Sequence, residues 1–451
     1  MPHLPEEIAP PSPPKHSWLG DFGKLAIANI LSNLMVPLSG LIDTAFLGHL
    51  ADIRHLAGVA LATVVFNIIY WSFGFLRMGT TGLIAQTAGR SDPGEQWRTA
   101  MRALAIALAL GIGLLLLQTP IRQLGFLILQ ADSSVIAAGE SFYQGRIWGA
   151  PAVLVNYVLL GWLLGRGQGR QVMVLAAVAN GSNILLDYGF IVRLGWASYG
   201  AGLATALSQY AALLVGLGCL RSQLWPQPSW RRGLWQPAAL TKVLRLNGDI
   251  MVRTWALLLS FSLFTHLSAL IGTEVLAVNT LLLQALMLVS YLLDGIAFAT
   301  EAYAGKFRGQ GHSSALRQLA LVGGTVSLAG GLGTAALFIS FPIGLFGLLS
   351  DHQELLVQLP QYVFWLLPVL GFGSVAFMLD GFFLGLSAGK LLRNATVIAT
   401  VVGFIPGAIA AYQTRNSHLL WLAMACFMAM RALTLSYGLR QQLREDRLSC
   451  P

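Results

Sequence analysis

Seven acidic residues lie inside long apolar stretches of this sequence, where a charged side chain is costly. They are Asp43, Glu140, Asp187, Asp249, Asp294, Glu301 and Asp380. An ionisable side chain at the centre of a membrane helix costs at least about 2.5 kcal/mol, and groups kept there usually serve a function. A carboxyl group in such a setting can gain and lose a proton or attract a cation. Proton or cation movement is therefore the first chemistry to consider.

Asp43 and Asp187 are predicted to lie at one depth in two different segments. Asp43 comes 19 residues after Lys24, and Asp187 comes 17 residues after Arg170. At ~1.5 Å per helical residue, the two acids lie about 28 and 26 Å from the same surface. Desolvation and a second nearby carboxylate both favour the neutral acid, so the pair can exchange a proton. The alternative is that both groups only hold helices together.

Further polar residues belong to the same neighbourhood or to a second group later in the chain. Asn183 lies one turn before Asp187 on the same helix face, and Thr205 on the following segment can supply a hydroxyl group. These two residues, with the two acids, form the predicted site of the first half.

In the second half, Asp294 and Asp380 each precede a glycine, and Glu301 follows Asp294 by two turns on roughly the same face. Arg253 is a candidate salt-bridge partner for one of these acids. The sequence leaves open whether this group lines a cavity or pairs helices.

The composition identifies a membrane protein. Of 451 residues, 55% are hydrophobic and only 10% are charged, whereas soluble domains carry about 25% charged residues. The net charge of +9 does not indicate a nucleic-acid partner, because the basic residues punctuate apolar runs instead of forming a basic face. Neither the three cysteines nor the eight histidines show metal-ligand spacing. We therefore expect no metal and no cofactor.

Twelve segments are long and apolar enough to cross a bilayer. They span residues 24–48, 57–88, 99–119, 136–165, 170–192, 199–221, 243–271, 274–305, 315–340, 359–386, 390–412 and 418–439. An even number places both termini on one side. Twenty of the 28 Lys and Arg residues then fall on that side, four on the other and four within segments. The positive-inside rule predicts cytoplasmic termini, and we expect a multi-pass protein of the plasma (inner) membrane.

The predicted fold class is all-α and integral to the membrane, with two pseudo-symmetric six-helix bundles. GWLLGRGQGR from Gly161 aligns with GFFLGLSAGK from Gly381, and AGR at Ala88 aligns with AGK at Ala304. Six crossings per unit make the repeats parallel, with a cavity expected between them. The predicted units are a disordered cytoplasmic tail, the first bundle, a cytoplasmic linker, the second bundle and a cytoplasmic tail, at residues 1–21, 22–222, 223–241, 242–440 and 441–451.

Several stretches resemble the DinF-like branch of the multidrug and toxic compound extrusion (MATE) transporters. They are GLIDTAFLGHL, NILLDYGFIV followed by GAGLATALSQ, and SYLLDGIAFATEAYAGKFRGQG, within a match over about residues 22 to 440. The resemblance implies a V-shaped pair of bundles that alternates between outward-open and inward-open states. It also implies export of amphiphilic, often cationic compounds against inflow of H⁺ or Na⁺.

The resemblance carries over to particular residues. Asp43 matches the acid of segment 1 on which proton coupling in this branch depends, and Asp187, Asn183 and Thr205 match a polar network in the same bundle. The chain departs from the branch at two positions. Leu160 stands where an Asn is common, with Asn156 one turn away as a candidate replacement. Ser39 stands where an aromatic residue is expected, one turn before Asp43.

The function expected from the sequence is proton-coupled export of small amphiphilic substrates by a monomer in the lipid bilayer. A Na⁺-coupled exporter is the first alternative, although segment 7 lacks the mid-membrane acid that the NorM-type branch uses. A flippase for lipid-like substrates is the second, and it requires Arg77, Arg146 and Arg253 to face the cavity. The remote alternative is a membrane enzyme that modifies lipids, for which the sequence offers no convergent nucleophile and base.

Overall fold

The computed structural model describes residues 17–50, 52–129, 131–223, 228–348 and 353–448. Most of the predicted disordered tail, part of the predicted linker and the last three residues lie outside the described residues. The prediction of disorder through residue 21 is wrong for the part that is described, because the first helix begins at Ser17. Trp18 packs there against Tyr303 and Phe307, with ring centroids 6.0 and 5.5 Å away.

Twelve long helices form the described fold, and we number them α1 to α12. Their bounds are α1 Ser17–Gly48, α2 Ile53–Gly89, α3 Pro93–Leu116, α4 Ser133–Gly165, α5 Gly169–Arg193, α6 Ala197–Gln223, α7 Pro237–Ile271, α8 Thr273–Gln310, α9 Ser313–Ser340, α10 Glu354–Gly385, α11 Gly389–Thr414 and α12 Ser417–Leu448. Each is long and apolar enough to cross a membrane, which confirms the predicted twelve crossings. Two shorter helices, Gln118–Ile128 and Pro342–Phe346, lie between crossings.

The helix ends differ from the sequence estimate where caps and prolines extend a helix. Helix α3 begins six residues earlier than expected, because Pro93 occupies its first turn and the Asp92 side chain accepts a hydrogen bond from the Glu95 amide. Such a cap satisfies an amide that would otherwise lack a partner. Helix α7 begins at Pro237 for the same first-turn reason. The connection between α6 and α7 is therefore shorter than the predicted linker.

The two halves repeat their irregularities as well as their crossings. Helix α4 is interrupted by a 3₁₀ turn at Ile147–Gly149, and α10 by one at Val363–Trp365. Helix α5 contains a π-helical stretch at Tyr188–Arg193, and α11 contains one at Ala399–Phe404. Matching breaks in corresponding helices indicate that the halves are versions of one six-helix unit.

The halves meet closely on the side where α1 begins and α12 ends, which we call the terminal face. A Cβ atom added to Gly309 on α8 would lie 2.1 Å from the Gln86 carbonyl on α2. The Gln86 side chain also donates to the Gly385 carbonyl at 2.8 Å and to the Ser387 hydroxyl at 3.0 Å. Only glycine permits backbones to approach this closely, as in other membrane-helix contacts. The terminal face is therefore shut between the halves.

Candidate functional site

A cavity of about 740 Å³ lies within the first half. Helices α1, α2, α4, α5 and α6 provide its wall, and Phe298 on α8 is the one lining residue from the second half among the described residues. The expected cavity between the halves is therefore displaced into the first bundle. Its position matters because Asp43, one of the two acids predicted to share one depth, lines it.

Asp43 on α1 lines this cavity, and its carboxyl group is in hydrogen-bonding contact with that of Asp187 on α5. Asp187 is itself buried and is not one of the lining residues. Two carboxyl groups can share a hydrogen bond only when one of them carries a proton. One oxygen of each, Oδ1, is buried without a further hydrogen-bond partner in the described structure. A hydrogen bond between the two groups therefore requires a proton on one of them, and each Oδ1 is left to accept another.

A short chain of hydrogen bonds supports Asp187. The Asn183 side chain donates to Asp187 Oδ2 at 2.8 Å, and Ser39 Oγ on α1 donates to Asn183 Oδ1 at 3.0 Å. All three side chains are buried. Ser39, noted from the sequence as a departure at a position expected to shield the acid, therefore fixes the Asn183 amide so that its nitrogen faces the carboxyl group.

The backbone changes its winding directly after the acid pair. The regular α-helix ends at Asp187 and the π-helical stretch Tyr188–Arg193 follows. A π-helical stretch widens a helix by one residue per turn and is frequent at functional sites. This feature could not be predicted from the sequence, because hydrophobic periodicity does not distinguish a π turn from an α turn.

Thr205 and Asn156 line the cavity but do not bond to the acids. The Thr205 hydroxyl donates to the Ala201 carbonyl of its own helix at 2.9 Å. The Asn156 amide donates to the backbone and side-chain oxygens of Gln209 on α6, at 2.9 and 3.2 Å. These two predicted members of the network are thus wall residues in this conformation.

The second-half acids are held by arginines. Asp380 on α10 accepts hydrogen bonds from both Arg253 on α7 and Arg431 on α12, and all three side chains are buried. Asp380 is therefore the acidic partner of Arg253, which the sequence analysis left open. Arg431 was counted in the sequence only as a basic residue within a segment, because nothing in the sequence specifies which helix α12 faces.

A second buried ion pair joins the two halves. Arg77 Nη1 on α2 lies 3.5 Å from Glu301 Oε2 on α8, and the arginine also stacks over Phe298, 3.8 Å from its ring centroid. Asp294 has no direct ion pair within the described residues but lies in the field of Arg77, Arg253, Asp380 and Arg431. The group therefore balances three arginines with three acids, which favours helix pairing over cavity lining.

Two of the three arginines that a flippase would require at the cavity do face it. Arg77 and Arg146 line it, whereas Arg253 is occupied by Asp380. Arg77 is partly neutralised by Glu301, so Arg146 on α4 is the more available cation. Among the described residues, there is no cluster of three or more His, Cys, Asp or Glu side chains that could hold a metal ion.

The sequence model of one protein family matches this chain twice. The family is described as MatE, and the matched residues are 28–189 and 250–409. One match falls in each half, in agreement with the repeated irregularities of α4 and α10 and of α5 and α11. The family unit therefore occurs once per six-helix bundle.

Known proteins resemble the chain along most of its length. It is 35% identical over 434 residues to DNA damage-inducible protein F of Escherichia coli (strain K12), a match that covers 93% of this chain and 92% of that protein. It is 26% identical over 380 residues to a probable multidrug resistance protein NorM of Synechococcus sp., with 80% and 79% covered. A crystal structure of MATE in complex with MaD3S has a TM-score of 0.85 at 21% identity, covering 95% of this chain and 97% of that one. The predicted fold class is confirmed.

Proposed function

The chain belongs to the MatE family of multidrug and toxin extrusion transporters, and from that premise we propose that it exports amphiphilic, often cationic compounds in exchange for protons. Family membership makes the chain a multi-pass membrane transporter and removes the alternative of a lipid-modifying enzyme. The NorM relative is named as a probable multidrug resistance protein, which supports small toxic compounds as the substrate class.

The contact between Asp43 and Asp187 carries the proposal of proton coupling. With one proton the pair has a single negative charge, which attracts a cationic substrate into the cavity. A second proton removes that charge and weakens the attraction, so substrate and proton compete for one site. Competition for one site is the simplest basis of exchange, and each proton gains about 2.3 kcal/mol per 100 mV when it moves inward.

Coupling to Na⁺ is the weaker alternative for this chain. The second-half acids Asp380 and Glu301 are each engaged by an arginine, and a guanidinium already in place occupies the position that a metal cation needs. The direct contact between the Asp43 and Asp187 carboxyl groups suits a shared proton, and the Asn183 amide group that faces Asp187 Oδ2 is a donor, which cannot ligate Na⁺. Both features favour a proton as the coupling ion.

We also propose that the transporter works by alternating access, and the closed terminal face supports this proposal. We assign that face to the cytoplasm because most basic residues lie there, so the cavity in this conformation is isolated from the cytoplasm by the contacts of α2 with α8 and α10. Substrate uptake then requires these contacts to separate. We further propose that a monomer in the plasma (inner) membrane is the working unit.

Proteoliposomes with an imposed pH gradient test the coupling directly. Asp43→Asn should abolish gradient-driven movement of a lipophilic cation while the purified protein remains monodisperse. Asp52→Asn is the matched control, since Asp52 lies at the outer end of the same region and pairs with Arg54 away from the cavity. A second arm imposes a sodium gradient without a pH gradient. Normal transport by Asp43→Asn, or transport driven by sodium alone, would overturn proton coupling.

A further inference from the structure

Arg146 on α4 places a guanidinium in the wall of the cavity, where its position is fixed by aromatic rings. Its central carbon lies 4.7 Å from the ring centroid of Phe66, 5.5 Å from that of Phe142 and 5.8 Å from that of Tyr70. Aromatic contacts of this kind attract the cation but accept none of its in-plane N–H bonds. The five N–H donors therefore still require acceptors.

No carboxylate forms a direct ion pair with Arg146 in the described structure. Its Nε atom is buried without a hydrogen-bond partner, and no ion pair joins its guanidinium to a described acid. The other inward-facing arginines differ: Arg77 pairs with Glu301, and Arg253 and Arg431 pair with Asp380. Arg146 is half-buried and lines the cavity, and a guanidinium at membrane depth without a direct counter-charge is costly. It therefore differs from the other three arginines in having no direct acidic partner among the described residues.

The titratable groups that face Arg146 are Asp43 on α1, Tyr70 on α2 and Tyr157 on α4, and Asp187 on α5 acts through its contact with Asp43. Free tyrosine titrates only near about pH 10, so both tyrosines are neutral at physiological pH. The charge opposite Arg146 is therefore set by the acid pair. A singly protonated pair balances Arg146 across the cavity, whereas a doubly protonated pair leaves its positive charge uncompensated.

We propose that Arg146 is an anion-binding group, which takes the carboxylate, sulfonate or phosphate head of an amphiphile whose apolar body lies against the cavity wall. This deepens the proposed export function and rests on it, because it adds anionic or zwitterionic amphiphiles to the substrate class. Leu56, Val59 and Val64 supply apolar wall within the same cavity. A guanidinium recognises an oxyanion by two parallel hydrogen bonds, which a lone lysine cannot reproduce.

In the same arrangement, binding of the second proton should lower the affinity for a cation and raise the affinity for an anion. A cation competes with the second proton at the acid pair. An anion at Arg146 is favoured when that proton is bound, because the cavity then carries a net positive charge. Linkage is reciprocal, so the anion in turn promotes protonation of the pair. Lowering the pH should therefore weaken binding of a cation and strengthen binding of an anion with the same body.

A matched pair of probes tests this inference: a naphthylalkyl sulfonate and the trimethylammonium compound with the same naphthylalkyl body. Binding is measured calorimetrically to the full chain in nanodiscs of neutral lipid. Arg146→Gln should weaken sulfonate binding roughly tenfold to a hundredfold, the range expected for charge-assisted hydrogen bonds. The trimethylammonium probe should bind at least as tightly as before. Arg122→Gln is the control, since Arg122 lies near Glu140 and outside the cavity lining.

Further arms identify the source of the anion and guard against misfolding. Inorganic phosphate and phosphatidylglycerol are each tested for displacement of the sulfonate, which separates a free anion from a lipid headgroup as the preferred ligand. Arg146→Lys keeps the charge without the planar fork and should bind the sulfonate with intermediate affinity. Arg146→Gln should melt at no lower temperature than the parent chain, because it removes a buried charge that has no partner.

The outcomes separate the two proposals. Equal sulfonate binding by the parent chain and Arg146→Gln overturns the anion site, whatever the coupling ion. Loss of sulfonate binding in Arg146→Gln, together with binding by the parent chain that does not change with pH, keeps the anion site and overturns proton coupling at Asp43. Loss in Arg146→Gln with affinity that rises on acidification supports both.

Discussion

The carboxyl groups of Asp43 and Asp187 are in hydrogen-bonding contact although they lie on helices α1 and α5. The contact joins the first and fifth crossings at the cavity, so a change in the charge of the pair acts on the packing of both helices. The π-helical stretch after Asp187 provides a local irregularity through which α5 can adjust. In the proposed mechanism, proton binding and helix rearrangement therefore occur at the same location.

Binding of a lipophilic cation should weaken as the pH falls. The second proton on the acid pair removes the negative charge that attracts the cation, so affinity should drop roughly tenfold or more on acidification. In Asp43→Asn, binding should be weak and independent of pH between about pH 5 and 9. Isothermal titration calorimetry at several pH values measures both profiles.

Asp52→Asn supplies the control for that pH profile. Hydrogen bonds between Asp52 and Arg54 lower the pKa of the Asp52 carboxyl to about 2. Because this pKa is lowered, the charge of Asp52 is lost only when the pH falls toward about 2, well below the range tested. The variant should keep the parent profile. A flattened profile in Asp52→Asn would show that acid dependence originates at the outer surface and not at Asp43.

Asn183→Ala should lower both stability and transport. It leaves Asp187 Oδ2 without its donor and Ser39 Oγ without its acceptor, and a lost hydrogen bond to a charged group costs about 1.5 to 3 kcal/mol. Ser39→Ala should cost less, about 0.5 to 1.5 kcal/mol, because it removes one neutral bond. Thermal unfolding and proteoliposome transport measure the two effects.

Asn180→Ala is the matched comparison on the same helix. Asn180 also lines the cavity, but its amide donates to the Ala176 carbonyl of its own helix at 2.8 Å and does not support the acid pair. The variant should retain the pH profile of cation binding. An equal loss of pH dependence in Asn180→Ala and Asn183→Ala would argue against a specific role for the hydrogen-bond chain.

The sequence could predict how high a residue lies along its helix, but not which neighbouring helix its side chain faces. Residue counts along a helix give height, because each residue rises ~1.5 Å, and this was sufficient to place Asp43 and Asp187 at one depth. Rotation about the helix axis is set by packing with neighbours, which the sequence alone does not specify. For that reason the partner of Asp380 on α12, Arg431, and the exposure of Arg146 to the cavity emerged only from the structure.

Ser39 and Thr205 show that residue type alone does not identify the members of the hydrogen-bond network. Ser39 looked like a departure from the expected pattern, yet it contacts Asn183 because α1 and α5 pack face to face. Thr205 matched the expected pattern, yet its hydroxyl bonds to its own helix. Residue type indicates which groups can form hydrogen bonds, whereas the packing of helices decides which partners they reach.

Asp380→Leu should destabilise the second half strongly. The change leaves the guanidinium groups of Arg253 and Arg431 buried without their shared counter-charge, and breaking a buried ion pair costs about 3 to 5 kcal/mol. The triple variant Arg253→Met, Asp380→Leu, Arg431→Met should recover most of that loss, because an apolar replacement removes all three charges together. Thermal unfolding of the purified proteins measures the recovery.

The triple variant also separates helix pairing from ion coupling. If the group only pairs α7, α10 and α12, transport by the triple variant should retain the parent dependence on pH. Loss of proton-driven transport in a triple variant that has recovered its melting temperature would instead assign a coupling role to Asp380. The balance of charges in the second half would then belong to the mechanism and not only to the fold.

Gly309→Ala should open the terminal face. The added Cβ would lie 2.1 Å from the Gln86 carbonyl, a separation that no packed structure tolerates, so the contact between α2 and α8 must widen. Gly248→Ala on α7 is the control, because nothing lies within 4 Å of the corresponding Cβ position. Spin labels at the ends of α2 and α8 on the terminal face should report a longer distance in Gly309→Ala and the parent distance in Gly248→Ala.

A second measurement asks whether this widening is the step that admits substrate. If it is, a cysteine placed at Val36 in the cavity should become reactive in Gly309→Ala toward a water-soluble thiol reagent added on the side of the terminal face. An unchanged distance with lost transport would show that the glycine contact is a fixed hinge, and alternating access would then have to open along another pair of helices.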